Sequence, residues 1–67
     1  MLITINGKSR SFEAVNLSVA GLVQQLELTG KRLAIERNGE IVPRSQFDVT
    51  QLADGDKLEI VGAVGGG

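Results

Sequence analysis

Apolar and polar positions change period several times along the chain, and each change marks an element. Met1, Ile3 and Ile5 share one face of the opening stretch, while Leu2, Thr4 and Asn6 share the other. A period of two predicts a strand over 1–6. Asn6-Gly7 follows, a strong hairpin signal because both central residues of a type I′ turn need positive φ. Lys8 to Glu13 returns as a polar strand anchored by Phe12, and its charge suits a sheet edge, where it discourages pairing with other chains.

The period then lengthens. Val19, Leu22, Val23 and Leu26 stand at i, i+3, i+4 and i+7, the stripe of a helix with one face on a core. Ser18 is placed to cap it, and Leu17 and Leu22 have the spacing of a hydrophobic staple. Gln24, Gln25 and Glu27 are expected to face outward, and Gly30 to close the helix in the left-handed conformation. Gly21 in the first turn weakens the helix by up to about 1 kcal/mol relative to alanine; close packing against another backbone would explain it.

Leu33 to Arg37 reads as a third strand. Asn38-Gly39 is a second type I′ signal, and Glu40 to Val42 begins the return. Pro43 ends or displaces that strand. Ser45 is expected to cap a short helical turn carrying Phe47, Val49 and Leu52, and Asp54-Gly55-Asp56 to form a tight turn. From Lys57 to Val61 the alternation resumes, with Leu58 and Ile60 inward. One helix covering one face of a mixed sheet is the economical way to bury both apolar surfaces. This gives one domain over 1–61, followed by a tail over 62–67.

Composition narrows the chemistry. The 67 residues contain neither cysteine nor histidine, which excludes a thiol nucleophile, a catalytic imidazole and the usual zinc and iron–sulfur ligand sets. Net charge is −1 with the signs interspersed, and tyrosine and tryptophan are absent, so a nucleic-acid surface is not expected. The N-terminus lacks the pattern of a secretory signal and no apolar run could span a membrane; a cytoplasmic protein is the expectation. Asp54 and Asp56 supply too few oxygens at the wrong spacing for a calcium loop. The glycines never form a phosphate-binding loop. Glu36, Glu40, Lys8 and Arg10 read as solvated side chains, and Arg44 as either an exposed arginine or a partner contact. No enzyme active site emerges.

What remains is the tail, Gly62-Ala63-Val64-Gly65-Gly66-Gly67. Glycine loses the most backbone entropy on ordering, so a glycine run adds nothing to a core. Fully extended, the tail reaches about 20 Å and could enter a channel too narrow for side chains. A terminal carboxylate, with a pKa of about 3.5, is ionised and a poor electrophile at neutral pH. Adenylation by Mg-ATP would make it reactive toward a sulfur or nitrogen nucleophile. The other reading is a mobile chain end without function.

Asn38-Gly39-Glu40-Ile41-Val42-Pro43-Arg44-Ser45, Asp54-Gly55-Asp56-Lys57-Leu58-Glu59-Ile60-Val61 and the Ala63-Val64-Gly65-Gly66-Gly67 end resemble the sulfur carrier proteins of thiamin biosynthesis, the ThiS family. The resemblance runs the length of the chain. It implies an α+β, ubiquitin-like β-grasp fold of four to five strands on one main helix, with the first and last strands parallel at the sheet centre. It implies a protein co-substrate rather than an enzyme, with no bound cofactor. Gly67 would be adenylated with Mg-ATP by a ThiF-type enzyme and converted to a thiocarboxylate through a sulfur-relay enzyme. The sulfur would then pass to a ThiG-type thiazole synthase. Gly66, Gly65, Val64, Ala63 and Gly62 would form the tail that threads the partners. Two alternatives stay open: a sulfur carrier for molybdopterin synthesis, and a non-covalent ubiquitin-like interaction or modifier domain.

Overall fold

The computed structural model describes residues 1–62 of the chain. Five strands form one mixed sheet: β1 (Leu2–Ile5), β2 (Lys8–Ser11), β3 (Leu33–Arg37), β4 (Glu40–Val42) and β5 (Lys57–Gly62). Between β2 and β3 lies the helix α1 (Val19–Gln25), and a 3₁₀ turn spans Arg44–Gln46. The strand order is β2-β1-β5-β3-β4. β5 runs parallel to β1 and antiparallel to β3, so the first and last strands meet at the sheet centre. This is the ubiquitin-like β-grasp.

Both Asn-Gly pairs close two-residue hairpins. Asn6 and Asn38 take φ of 50° and 52°, and Gly7 and Gly39 are also positive, as type I′ requires. β2 is one edge of the sheet and exposed at every residue. Its strand ends at Ser11, earlier than the expected Glu13, although Phe12 and Met1 still exchange bonds: the Phe12 amide donates to the Met1 carbonyl and the terminal ammonium donates to the Phe12 carbonyl at 2.7 Å.

Ile3, Ile5, Ile35, Val42, Leu58 and Ile60 point to the face that α1 covers with Val19, Leu22 and Val23, and Phe12, Leu17 and Leu52 complete the core. Helix α1 opens as its sequence suggests. The Ser18 Oγ accepts from the Gly21 amide at 3.0 Å. The two preceding orphan amides are met from the loop after the 3₁₀ turn, Val19 by the Thr50 carbonyl and Ala20 by the Phe47 carbonyl. Gly21 faces the Leu17 side chain rather than another backbone: an added Cβ would lie 3.1 Å from Leu17 Cδ1.

The helix closes earlier than its apolar stripe suggests. Leu26 is the C-cap, and Glu27 at φ 61° occupies the left-handed position assigned above to Gly30. The Glu27 amide bonds to the Gln24 carbonyl and the Leu28 amide to the Val23 carbonyl, the two bonds of a Schellman motif. Gly30 takes φ +88° in the next turn. The 3₁₀ turn starts from Pro43, not Ser45, and has no side-chain cap. Of the apolar residues assigned to it, Leu52 is buried and Phe47 packs on the core, whereas Val49 is 65% exposed.

Candidate functional site: the strand that leads to the tail

Of the six residues expected to form the tail, Gly62 belongs to the sheet. It is the last residue of β5 and lies opposite Leu33, so strand pairing continues one residue past the boundary set at Val61. Ala63, Val64, Gly65, Gly66 and Gly67 lie outside the described residues.

β5 is therefore the base on which the candidate site stands, and it is held from both sides. Its pairing with β1 is short, Thr4 with Lys57 and Ile5 with Leu58. The Asn6 amide then donates to the Leu58 carbonyl at 2.9 Å. Past that point the chain of β1 turns away, and the Asn6 side chain takes over. Its Oδ1 accepts from the Ile60 amide at 2.8 Å and its Nδ2 donates to the Ile60 carbonyl at 3.0 Å. A carboxamide thus supplies the rung that a strand neighbour would have made.

Asn38 does the corresponding work across the sheet, at the start of β5. Its amide donates to the Lys57 carbonyl, and its Oδ1 accepts from the Lys57 amide at 3.0 Å. Its Nδ2 donates to Asp56 Oδ1 at 3.1 Å. Asp56 is the only buried charged residue among the described residues, 7% exposed. Its Oδ2 accepts from Arg37 Nε and from the Ala53 amide, both at 2.8 Å. Burial works to raise the Asp56 pKa, but the Ala53 amide, the Asn38 carboxamide and the Arg37 guanidinium together hold it below its ordinary value.

The same turn grips the start of β1. Asp54 Oδ1 accepts from the Leu2 amide, the Gly55 amide donates to the Leu2 carbonyl, and the Thr4 amide donates to the Asp56 carbonyl. Gly55, at φ +91°, supplies the positive φ of a turn closed by the Asp56 amide on the Ala53 carbonyl. Asp54-Gly55-Asp56 is thus the turn expected from sequence and, in addition, the joint between β1, β3 and β5.

Sequence reasoning found the two Asn-Gly turns but not the reach of their side chains to the last strand. No periodicity carries that signal, since the partners of the Asn38 carboxamide are 18 and 19 residues away and that of Asn6 is 54 residues away.

The face of the sheet opposite α1 is uncovered. Ile41 and Val61 are exposed there, at 71% and 57%, with Leu2 toward the β1 side. Glu36 stands directly opposite Glu59, a like-charge pairing that weakens a sheet. Arg44 is exposed, its guanidinium 3.4 Å from the Lys31 carbonyl. A shallow cleft of about 320 Å³ beside the β3–β4 hairpin is lined by Arg37, Glu40, Val42, Gln46 and Thr50, a set with no nucleophile and base paired in it. Among the described residues no group of three His, Cys, Asp or Glu side chains could hold a metal ion. No helix among the described residues is long and apolar enough to cross a membrane.

Comparison with known proteins agrees with this architecture. The crystal structure of the thiamine biosynthesis protein ThiS from Geobacter metallireducens superposes with a TM-score of 0.87 at 36% identity, each chain covered over 100% of its length. The sulfur carrier protein ThiS of Bacillus subtilis is 32% identical over 66 residues, 98% of this chain and 100% of that one. A thiazole synthase of Paramagnetospirillum magneticum is 45% identical over all of this chain. The chain spans only 20% of the length of that thiazole synthase. The model of the ThiS family matches residues 3–67, and the chain belongs to that family.

Proposed function

We propose that this chain is a sulfur carrier of thiamin biosynthesis and that it carries the sulfur as a thiocarboxylate on Gly67. The observation that carries the reading is the family match through residue 67, on a fold whose last strand leads from the sheet centre directly into Ala63-Val64-Gly65-Gly66-Gly67.

The chemistry follows from the residues. A ThiF-type partner transfers AMP from Mg-ATP to the Gly67 carboxylate, releasing pyrophosphate. The resulting mixed anhydride has a good leaving group. The terminal sulfur of a persulfide on a relay enzyme attacks the acyl carbon, and AMP departs with one of the original carboxylate oxygens. A second thiol then attacks the relay sulfur of the acyl disulfide, leaving the thiocarboxylate on Gly67 and a disulfide between the two thiols. Glycine at 65, 66 and 67 places no side chain near that carbon, so both the AMP donor and the sulfur donor have access. With no cysteine in the chain, no internal thiol competes for the adenylate. The carrier is a co-substrate in this scheme and the partners perform the catalysis.

Two relatives named thiazole synthase are 45% and 33% identical to this chain over a fifth of their own length, which supports a ThiG-type enzyme as sulfur acceptor in preference to molybdopterin synthesis. The sheet face away from α1, with Val61 of β5 and Ile41 of the edge strand β4 exposed on it, supports docking on such partners.

The test is intact mass after incubation with the adenylating enzyme, Mg-ATP and a sulfur donor. The expected result is exchange of one oxygen for sulfur, located to Gly67 by fragmentation. A variant lacking Gly67 is expected to melt as the wild type does and to form no adenylate. An unchanged adenylation rate in that variant would refute the assignment.

A further inference from the structure

Two residues that hold the last strand are each followed by glycine, and that pairing has a chemical consequence. In an Asn-Gly pair the glycine amide nitrogen is unhindered and can attack the neighbouring carboxamide carbon. The new N–C bond expels ammonia and leaves a succinimide, and water opens the ring to aspartate or isoaspartate. One water is consumed, one ammonia is released, and no electrons are transferred.

We propose that Asn6 and Asn38 are two coupled deamidation sites, each held in check by the strand it clasps. In the fold neither carboxamide is free to meet its glycine. Asn6 gives both its oxygen and its nitrogen to Ile60. Asn38 gives its oxygen to the Lys57 amide and its nitrogen to Asp56. Cyclisation therefore requires both bonds of the pair to break and the side chain to swing away from β5 toward its own turn. The rate is set by how often that part of β5 opens.

The products cannot restore what is lost. An aspartate at 6 would bring an acceptor oxygen against the Ile60 carbonyl, where the amide nitrogen now donates at 3.0 Å. An aspartate at 38 would bring a second carboxylate to Asp56, across a contact now 3.1 Å long; two carboxylates at that distance repel. An isoaspartate at either place adds a methylene to the backbone of a two-residue turn. Either conversion removes a rung from β5, so the strand opens more often and the surviving asparagine becomes more reactive. The first event at one turn thus accelerates the second at the other, and both loosen the strand that leads to the tail.

The test is incubation of the full chain at mildly alkaline pH, with peptide mapping that reads the two sites separately. Both sites are expected to convert at least about tenfold more slowly in the folded protein than in urea. Equal rates would overturn the protection. In Asn38→Asp the Asn6 site is expected to convert several-fold faster than in the wild type, and an unchanged rate would overturn the coupling. Should that variant fail to fold, the wild-type time course gives the same answer when the undigested chain is also read by intact mass, which counts the molecules converted once and twice. Coupling makes doubly converted molecules exceed the product of the two single fractions, and agreement with that product would refute it.

Discussion

Asp56 shows how much one side chain can join. Its two oxygens accept from Ala53, Arg37 and Asn38, which lie in the turn before β5, in β3 and in the β3–β4 hairpin. These bonds stabilise the charged form, so the folded-state pKa lies below the unfolded value of about 3.9. Between those two values the unfolded chain binds the proton and the folded one does not. The stabilisation is therefore complete above about pH 5 and is lost as pH falls through the folded pKa. Asp56→Asn is expected to lower stability at neutral pH by on the order of 2–3 kcal/mol, a hydrogen-bonded charge being removed. It should also flatten the acid limb of the stability curve, because this carboxylate no longer takes up its proton on unfolding. Thermal melts of both proteins from neutral to acid pH check this; parallel acid limbs would mean that Asp56 contributes nothing to the pH dependence. From sequence, Asp56 reads only as a turn residue. The turn is local and legible, whereas burial of its second aspartate beside Arg37 depends on a strand pairing that no local pattern records.

At the scale of the element, the helix separates what the chain writes locally from what packing decides. The Ser18 cap is local and is found as read, and Leu17 and Leu22, spaced as a staple, are both buried in the core. The C-terminus is not where the apolar stripe and Gly30 placed it. The stripe continues through Leu26, which is half-buried as the C-cap, and Leu28 packs on the core from outside the helix. Periodicity cannot distinguish a last turn from a Schellman closure whose next apolar residue also points inward. Glu27 consequently holds a left-handed conformation that costs an L-residue about 1–2 kcal/mol and glycine almost nothing. Its side chain is exposed, so little packing is at stake. Glu27→Gly is expected to raise stability by about 0.5–1 kcal/mol, part of the relief being offset by glycine's greater unfolded-state entropy. Urea unfolding reads the change; a lower midpoint would show that the Glu27 side chain contributes more than its backbone strain removes. The short turn after Pro43 makes the same point, since it has no side-chain cap and its far end is tied to the helix, the Phe47 and Thr50 carbonyls accepting from the Ala20 and Val19 amides.

For the molecule as a whole, the deciding contact is the parallel meeting of β1 and β5. Alternation in the two segments predicts two strands but not their adjacency, which entered through the resemblance of the whole chain to a family. Leu58 sits at that meeting, in register with Ile5 on one side and Arg37 on the other, and is 1% exposed. A chain of 67 residues has only about 3–10 kcal/mol of stability, at about 0.05–0.15 kcal/mol per residue. Leu58→Ala removes buried methyl groups and leaves a cavity, a change that costs about 2–5 kcal/mol in a well-packed core. One substitution can therefore consume most of the stability of the domain. The expected result is a urea midpoint lowered by about half, with the slope unchanged if the unfolded state is the same. Retention of most of the wild-type midpoint would show that the sheet centre collapses around the missing side chain. Set beside the variant lacking Gly67, this substitution separates two ways of losing activity. Without Gly67 the domain is expected to keep its midpoint but to end in the carboxylate of Gly66, one residue short of the partner's reacting position, whereas Leu58→Ala keeps the full-length tail and loses the folded surface that presents it to a partner. A peptide of the tail alone then decides between them: if a partner adenylates it as well as the intact chain, the fold that Leu58 supports contributes nothing to recognition.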